Sequence, residues 1–161
     1  MTILGRVNLL PQVAPALPRT AACPYGTASS KGADMDIKSV GIVGAGQMGN
    51  GIAHVMSLAG YDVMLNDVSQ EALAAGLAVI DRNLERQVSR DKITADDKSL
   101  AMSRISPVHA LPDLGQCDLV IEAATERETV KQAIFEDLVP HLKPNTILTS
   151  NTSSISITRL A

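Results

Sequence analysis

Three glycines, Gly44, Gly46 and Gly49, stand in the spacing G-x-G-x-x-G within VGIVGAGQMG, residues 40–49. A run of β-branched residues leads into them and a helical pattern leads out. That context suits a turn that cradles a pyrophosphate. Gly44 allows the tight passage from strand to helix. Gly46 has no side chain, so a phosphate can reach the backbone. Gly49 lets the helix lie close against the strand. Gln47 and Met48 open that helix, and its free N–H groups and positive dipole end would face the phosphates. Gly44, Gly46, Gln47, Met48 and Gly49 are therefore read as cofactor-binding.

Asp67 follows Gly49 by 18 residues, at the end of the next apolar run. An acid there accepts hydrogen bonds from the ribose hydroxyls of NAD and repels the added phosphate of NADP. Its neighbours Asn66, Val68 and Ser69 include no arginine for a 2′-phosphate. The competing reading is an acid favoured by a helix dipole. A second polar cluster is TSNTSS, Thr149 to Ser154. Hydroxyls and an amide at the carboxyl end of a strand can orient a substrate oxygen. They can equally cap the next helix.

The elements that carry these groups follow a regular alternation. Ile37 to Val43 reads as strand one. Gln47 to Ala59 reads as a helix, with Met48, Ile52, Val55, Met56 and Ala59 at helical spacing and Gly60 as its stop. Tyr61 to Leu65 is strand two. Gln70 to about Arg90 is a long helix with Leu73, Leu77, Ile80, Leu84 and Val88 on one face. Thr94 to Asp97 begins a short helix with an acidic first turn. Ile105 to Val108 is strand three and Asp118 to Glu122 strand four. Thr125 and Glu128 read as a capping box for a helix running to about Leu142. Thr146 to Ser150 is strand five. The expected class is α/β, a Rossmann-type doubly wound parallel sheet. Such folds have about six strands. With Ala161 only a few residues past strand five, the sheet is expected to be incomplete at the C-terminus.

The chain has 161 residues, a net charge of −3 and a 45% apolar fraction, enough for one core and without the charge of a nucleic-acid partner. No apolar run reaches the roughly 18 residues that span a bilayer. Aromatic residues are few, so the core is expected to be aliphatic, as parallel sheets are. Cys23 and Cys117 lie far apart, without metal-ligand spacing, and read as free thiols of a reducing compartment. No metal is expected. Residues 1–35 are rich in Pro, Ala, Gly and Ser and lack periodicity. They read as a disordered extension, either upstream of a natural start at Met35 or a targeting segment. The two readings place the protein in the cytoplasm or, alternatively, the mitochondrial matrix.

Three stretches in order, VGIVGAGQMGNGIAHVMSLAGYDVMLND, DLVIEAATERETVKQAIFEDL and LKPNTILTSNTSSISITRLA, resemble the 3-hydroxyacyl-CoA dehydrogenase family over residues 36–161. The resemblance implies an NAD-dependent oxidation of an L-3-hydroxyacyl-CoA to the 3-ketoacyl-CoA, or the reverse reduction, in fatty-acid or butanoate metabolism. It implies a homodimeric whole protein and substrates such as acetoacetyl-CoA. Gly44, Gly46, Gly49 and Asp67 match the family's cofactor positions. Glu126 and Lys131 match an acid and a base near the nicotinamide half, where the plainer reading is a solvated helix start. Asn151 and Ser153 match residues beside the reacting centre, Ser153 on the C3 oxygen. Asn83 and Arg90 fall near the family's CoA contacts, with an exposed helix face as the alternative.

The family's base is a histidine in a G-x-H-F-x-N-P stretch that would lie past Ala161. His54, His109 and His141 read as packing or surface residues. The chain is thus expected to be a truncated domain that binds NAD without turning over substrate. The rivals are a dehydrogenase of a free 3-hydroxy acid, a non-catalytic dinucleotide-binding module and one domain of a multifunctional protein.

Overall fold

The computed structural model describes residues 36–160, so the expected disordered extension and Cys23 lie outside the described residues. Five strands form one sheet: β1 (Ser39–Val43), β2 (Asp62–Asn66), β3 (Ile105–Val108), β4 (Leu119–Glu122) and β5 (Ile147–Ser150). Their order is β3-β2-β1-β4-β5 and every pairing is parallel. Helices α1 (Gln47–Leu58), α2 (Gln70–Val88), α3 (Ala95–Ser103), α4 (Glu128–Leu138) and α5 (Ile157–Leu160) fill the connections. This is the doubly wound α/β arrangement that the alternation predicts.

The central strand β1 is buried on both faces, and side chains alternate between two cores. Val40, Ile42, Val63 and Leu65 pack with Leu73, Ile80, Leu84 and Ala101 on the side of α1, α2 and α3. Val43, Val120, Leu114, Cys117 and Leu138 pack on the side of α4. Each fully buried aliphatic side chain contributes about 1.5–3 kcal/mol. Among the described residues, the only proline in a strand, Pro107, sits in β3, at the sheet edge, where a missing N–H costs least. Cys117 is free and buried beside Met64, and burial pushes its thiol up to about 11.

Three local expectations differ from the structure. The expected apolar stripe of α1 forms its core face only in part, through Ile52 and Met56, which pack partly buried against the core. Gly49, Asn50, Ala53, His54 and Ser57 are buried, while Met48 is 53% and Val55 64% exposed. The cause is close approach: a Cβ on Gly49 would stand 1.7 Å from the Gly44 carbonyl oxygen. Small residues face inward, and Asn50 and Ser57 satisfy themselves on backbone carbonyls at 2.8 and 3.0 Å. The Thr125–Glu128 capping box does not form. Arg127 is the N-cap of α4, and the Thr125 hydroxyl accepts from the Arg127 amide at 3.3 Å, a turn before the helix. Nor does that helix reach Leu142. It passes at Val139 into a short 3-10 turn that holds Pro140. The Gly60 stop does form, at φ +95°, and Thr94 caps α3 in a reciprocal box with Asp97.

One buttress sits at the amino end of the sheet. The Asp118 carboxylate accepts from the Lys38 and Ser39 amides at 2.9 and 3.0 Å and from Lys143 at 2.6 Å. Lys143 first, then the two amides, hold this carboxyl well below the usual carboxylate range. A depressed folded pKa stabilises above the unfolded value of about 3.9 and loses that effect as pH falls through the folded value. Asp118→Asn should therefore cost about 1.5–3 kcal/mol at pH 7, the worth of a charged hydrogen bond. Urea titrations from pH 7 downward should show the gap to the unaltered chain closing only below about pH 4.

Candidate functional site

The carboxyl ends of all five strands share one register row. Val108, Asn66, Val43, Glu122 and Ser150 are paired in sequence across the sheet. The next residue of each chain segment leaves the sheet at the same level: His109, Asp67, Gly44, Ala123 and Asn151. Three of these exits are pinned by amides donating to the neighbouring strand's last carbonyl. Gly44 donates to Asn66 at 2.7 Å, Ala123 to Val43 at 2.8 Å and Asn151 to Glu122 at 2.7 Å.

The strand order reverses between β1 and β4, and the glycine turn and the loop after β4 diverge there. They touch at their base. Gly44 has φ +100°, and a Cβ on it would come within 2.7 Å of the Ala124 Cα. Crevices at such switch points are where doubly wound sheets bind ligands.

The start of α1 is open. Gly46 is its N-cap, with no side-chain cap and no acidic residue in the first turn. Asn50 makes the first helical bond, to the Gly46 carbonyl at 2.9 Å. Among the described residues, no acceptor meets the amides of Gln47, Met48 and Gly49. By contrast, Ser69 caps α2 through the Ala72 amide, and Thr94 caps α3. A Cβ on Gly46 would meet nothing within 4 Å. Uncapped amides, a positive dipole end and empty space over Gly46 fit a pyrophosphate.

Asp67 bounds this space. Its carboxylate accepts from the Ala45 amide at 2.9 Å and from the Ser69 amide at 3.0 Å. It thereby ties the glycine turn to the start of α2. Each oxygen uses one acceptor site, and a carboxylate has about four. Capacity remains for a ribose diol.

Across the switch point, the loop after β4 meets the polar stretch after β5. Glu126 accepts from the Thr152 hydroxyl at 2.9 Å and the Ser154 hydroxyl at 3.4 Å. Ser153 is exposed, and no partner takes its hydroxyl among the described residues. Asn151 is half-buried, with its side-chain amide likewise unengaged. Neighbouring serines thus differ: Ser154 is committed to Glu126 and Ser153 is not.

Lys131 is not at a solvated helix start. It is fully buried, as is Glu122, and the two form an ion pair. Ser150 completes the cluster, 2.7 Å from the Glu122 carboxylate and 3.1 Å from the ammonium. Glu122 and Ser150 escaped sequence reasoning. A signal was present: an acid ends the apolar strand LVIE, and Lys131 shares the i, i+3, i+7 stripe of Ile134 and Leu138.

Asn83 and Arg90 do come together. They line a cleft of about 350 Å³ with His54, Arg86, Gln87 and Lys92. Three cations and no carboxylate line it. His54 meets Gln87 at 3.1 Å, and burial lowers its pKa. His109 and His141 are exposed, away from the switch point.

Fold and site together define a dinucleotide-binding domain. Residues 39–161 match the family model described as 3-hydroxyacyl-CoA dehydrogenase, NAD binding domain. A 3-hydroxybutyryl-CoA dehydrogenase of Bradyrhizobium diazoefficiens is 59% identical over 125 residues, 78% of this chain and 43% of that protein. A 3-hydroxyadipyl-CoA dehydrogenase of Escherichia coli is 43% identical over 79% of this chain and 27% of its own length. The crystal structure of a (S)-3-hydroxybutyryl-CoA dehydrogenase from Ralstonia eutropha superposes with a TM-score of 0.75 at 44% identity, covering 77% of this chain and 44% of that one. The chain belongs to the 3-hydroxyacyl-CoA dehydrogenase family and carries its NAD-binding domain. It spans less than half the length of these relatives.

The glycine turn yields a sharp contrast between two substitutions. Gly46→Ala should leave the melting temperature unchanged, since its Cβ enters empty space at an ordinary φ of −62°. It should weaken NAD binding by tenfold or more, on the order of 1.5–3 kcal/mol for charge-assisted bonds lost to a methyl group. Gly49→Ala should instead destabilise the fold itself, by about 1–3 kcal/mol or more, as overpacking does. Calorimetry and thermal melts of both variants check the pair.

Proposed function

We propose that this domain serves an NAD-dependent oxidation of an L-3-hydroxyacyl-CoA to the 3-ketoacyl-CoA, or its reversal, and that by itself it binds NAD only. The observation that carries this is the open amino end of α1 beside Asp67, at a topological switch point. Gln47, Met48 and Gly49 would hold the pyrophosphate and Asp67 the adenosine ribose. NAD, when bound, accepts the hydride that leaves C3 of the substrate.

On the other side of the switch point, Ser153 and Asn151 would orient the C3 oxygen. The free hydroxyl of Ser153 suits this role, whereas Ser154 is held by Glu126. Their contribution is placement of the reacting group rather than bond making. The proton of the substrate hydroxyl needs a base. His54 is buried against Gln87, and His109 and His141 are exposed. By resemblance, the base is a histidine of a following segment, in a protein that works as a homodimer. Glu126 and Lys131 lie on the loop and helix that would flank the nicotinamide half.

The cleft at Asn83 and Arg90 supports a CoA thioester over a free acid. Arg86, Arg90 and Lys92 offer the positive charge that a CoA phosphate requires. A non-catalytic module is disfavoured by the uncommitted Asn151 and Ser153 at the carboxyl ends of the strands. Among the described residues no helix is long and apolar enough to cross a membrane. A cytoplasmic setting, where a thiol such as Cys117 stays reduced, accords with this reading.

Calorimetry of the chain tests the proposal. NAD should bind more tightly than NADP, and Asp67→Ala should lose about 1–3 kcal/mol for NAD while narrowing the preference. In a calorimetric titration of the complete protein, acetoacetyl-CoA should bind and free acetoacetate should not. Equal affinity for NAD and NADP would sink the cofactor assignment. Equal affinity for the two acetoacetyl compounds would favour the free-acid dehydrogenase.

A further inference from the structure

Glu122 makes more connections than any other buried polar residue near the switch point. Its Oε1 accepts from the Ala124 amide at 2.8 Å. Its Oε2 accepts from Lys131 and from the Ser150 hydroxyl, the latter at 2.7 Å. Its main-chain oxygen accepts from the Asn151 amide at 2.7 Å. One residue thus holds three segments: the loop that leads to Glu126, the inner face of α4, and the end of β5 that leads to Asn151 and Ser153. It also stands opposite Val43, one step before Gly44.

Cohesion alone does not call for this arrangement. Two fully buried charges lose their hydration, and a well-packed apolar pair of similar volume holds protein layers at least as well. An apolar residue, however, could not capture the amide of Ala124, and that amide belongs to the loop touching Gly44. Hydrogen bonds are directional, so the cluster fixes an arrangement where apolar contacts would tolerate several. Glu126, Asn151 and Ser153, the residues on the nicotinamide side, hang from the segments it fixes. The hydrogen bonds of the glycine turn run instead to Asn66 of β2 and to Asp67.

We propose that Glu122 is a positioning residue for the nicotinamide side of the cofactor site, acting through Lys131, Ser150 and the Ala124 amide. The proposal rests on the NAD reading above. It separates the two halves of the dinucleotide: the adenosine half depends on Asp67 and the glycine turn, the nicotinamide half on the Glu122 cluster. Loss of the cluster should therefore weaken NAD and spare ADP-ribose, which lacks the nicotinamide.

The test titrates the chain with NAD, NADH and ADP-ribose by calorimetry and by nicotinamide fluorescence. Glu122→Gln keeps the shape and removes the charge. Ser150→Ala keeps both charges and removes one link, and it serves if Glu122→Gln fails to fold. Ser150→Ala should weaken NAD by about twofold to tenfold, the worth of one hydrogen bond, and Glu122→Gln by more. ADP-ribose affinity should change by less than about twofold, below the loss of one net hydrogen bond. NADH fluorescence in the variants should shift toward that of free NADH.

A parallel loss of NAD and ADP-ribose affinity would mean a merely structural cluster and overturn the proposal. Unchanged NAD affinity in Ser150→Ala would overturn it equally. If the unaltered chain binds neither ligand, the cofactor reading falls and this one with it. If it binds both and the variants do not discriminate, only the positioning role fails.

Discussion

The alignment of five parallel strand ends in a single row governs this domain. Parallel pairing places Val108, Asn66, Val43, Glu122 and Ser150 abreast, so every carboxyl-end loop starts at one height. Hydrogen bonds from Gly44, Ala123 and Asn151 to adjacent carbonyls hold the exits. Because the chain crosses from β3 to β4 on the far side of β1, the loops on either side of that line lean apart. A crevice opens between them, and the residues with spare hydrogen-bonding capacity line it.

A helix placed close enough to use that crevice has a cost. To bring its uncapped amides to the crevice, α1 must lie against the turn so tightly that Gly49 has no room for a Cβ. The inner face of α1 then carries mostly small or polar residues, and Met48 and Val55 turn outward. The helix starts α2 and α3 take the more stable solution and are capped by Ser69 and Thr94. Leaving α1 uncapped gives up roughly 1 kcal/mol of cap stabilisation. A bound phosphate would restore it. On the opposite side of the crevice the same trade appears in the Glu122–Lys131 pair, buried at the cost of desolvation.

Much of this was legible in the sequence because it is local. The glycine spacing, the strand that precedes it and the acid 18 residues on lie within one β-turn-α-β unit, and their physics needs no distant contact. Strand three was readable to the residue, and Gly60 and Thr94 act where their chemistry placed them. What escaped depended on contacts between segments far apart. The inward face of α1 is chosen by its distance from β1, not by its own periodicity. Thr125 loses its capping role because Arg127, held by the loop path, starts the helix. Lys131 looked solvated because its partners, Glu122 and Ser150, come from two other elements.

The central claim is that the dinucleotide lies across the strand ends, with its pyrophosphate on the start of α1. The most direct measurement is a backbone NMR titration of isotope-labelled chain with NAD. On that claim, the largest amide shifts should fall at Gln47, Met48 and Gly49, with Ser69, Asn151 and Ser153 also moving and the amino-end buttress around Asp118 still. Shifts concentrated along the outer face of α2, or at the amino end of the sheet, with the first turn of α1 unperturbed, would contradict it.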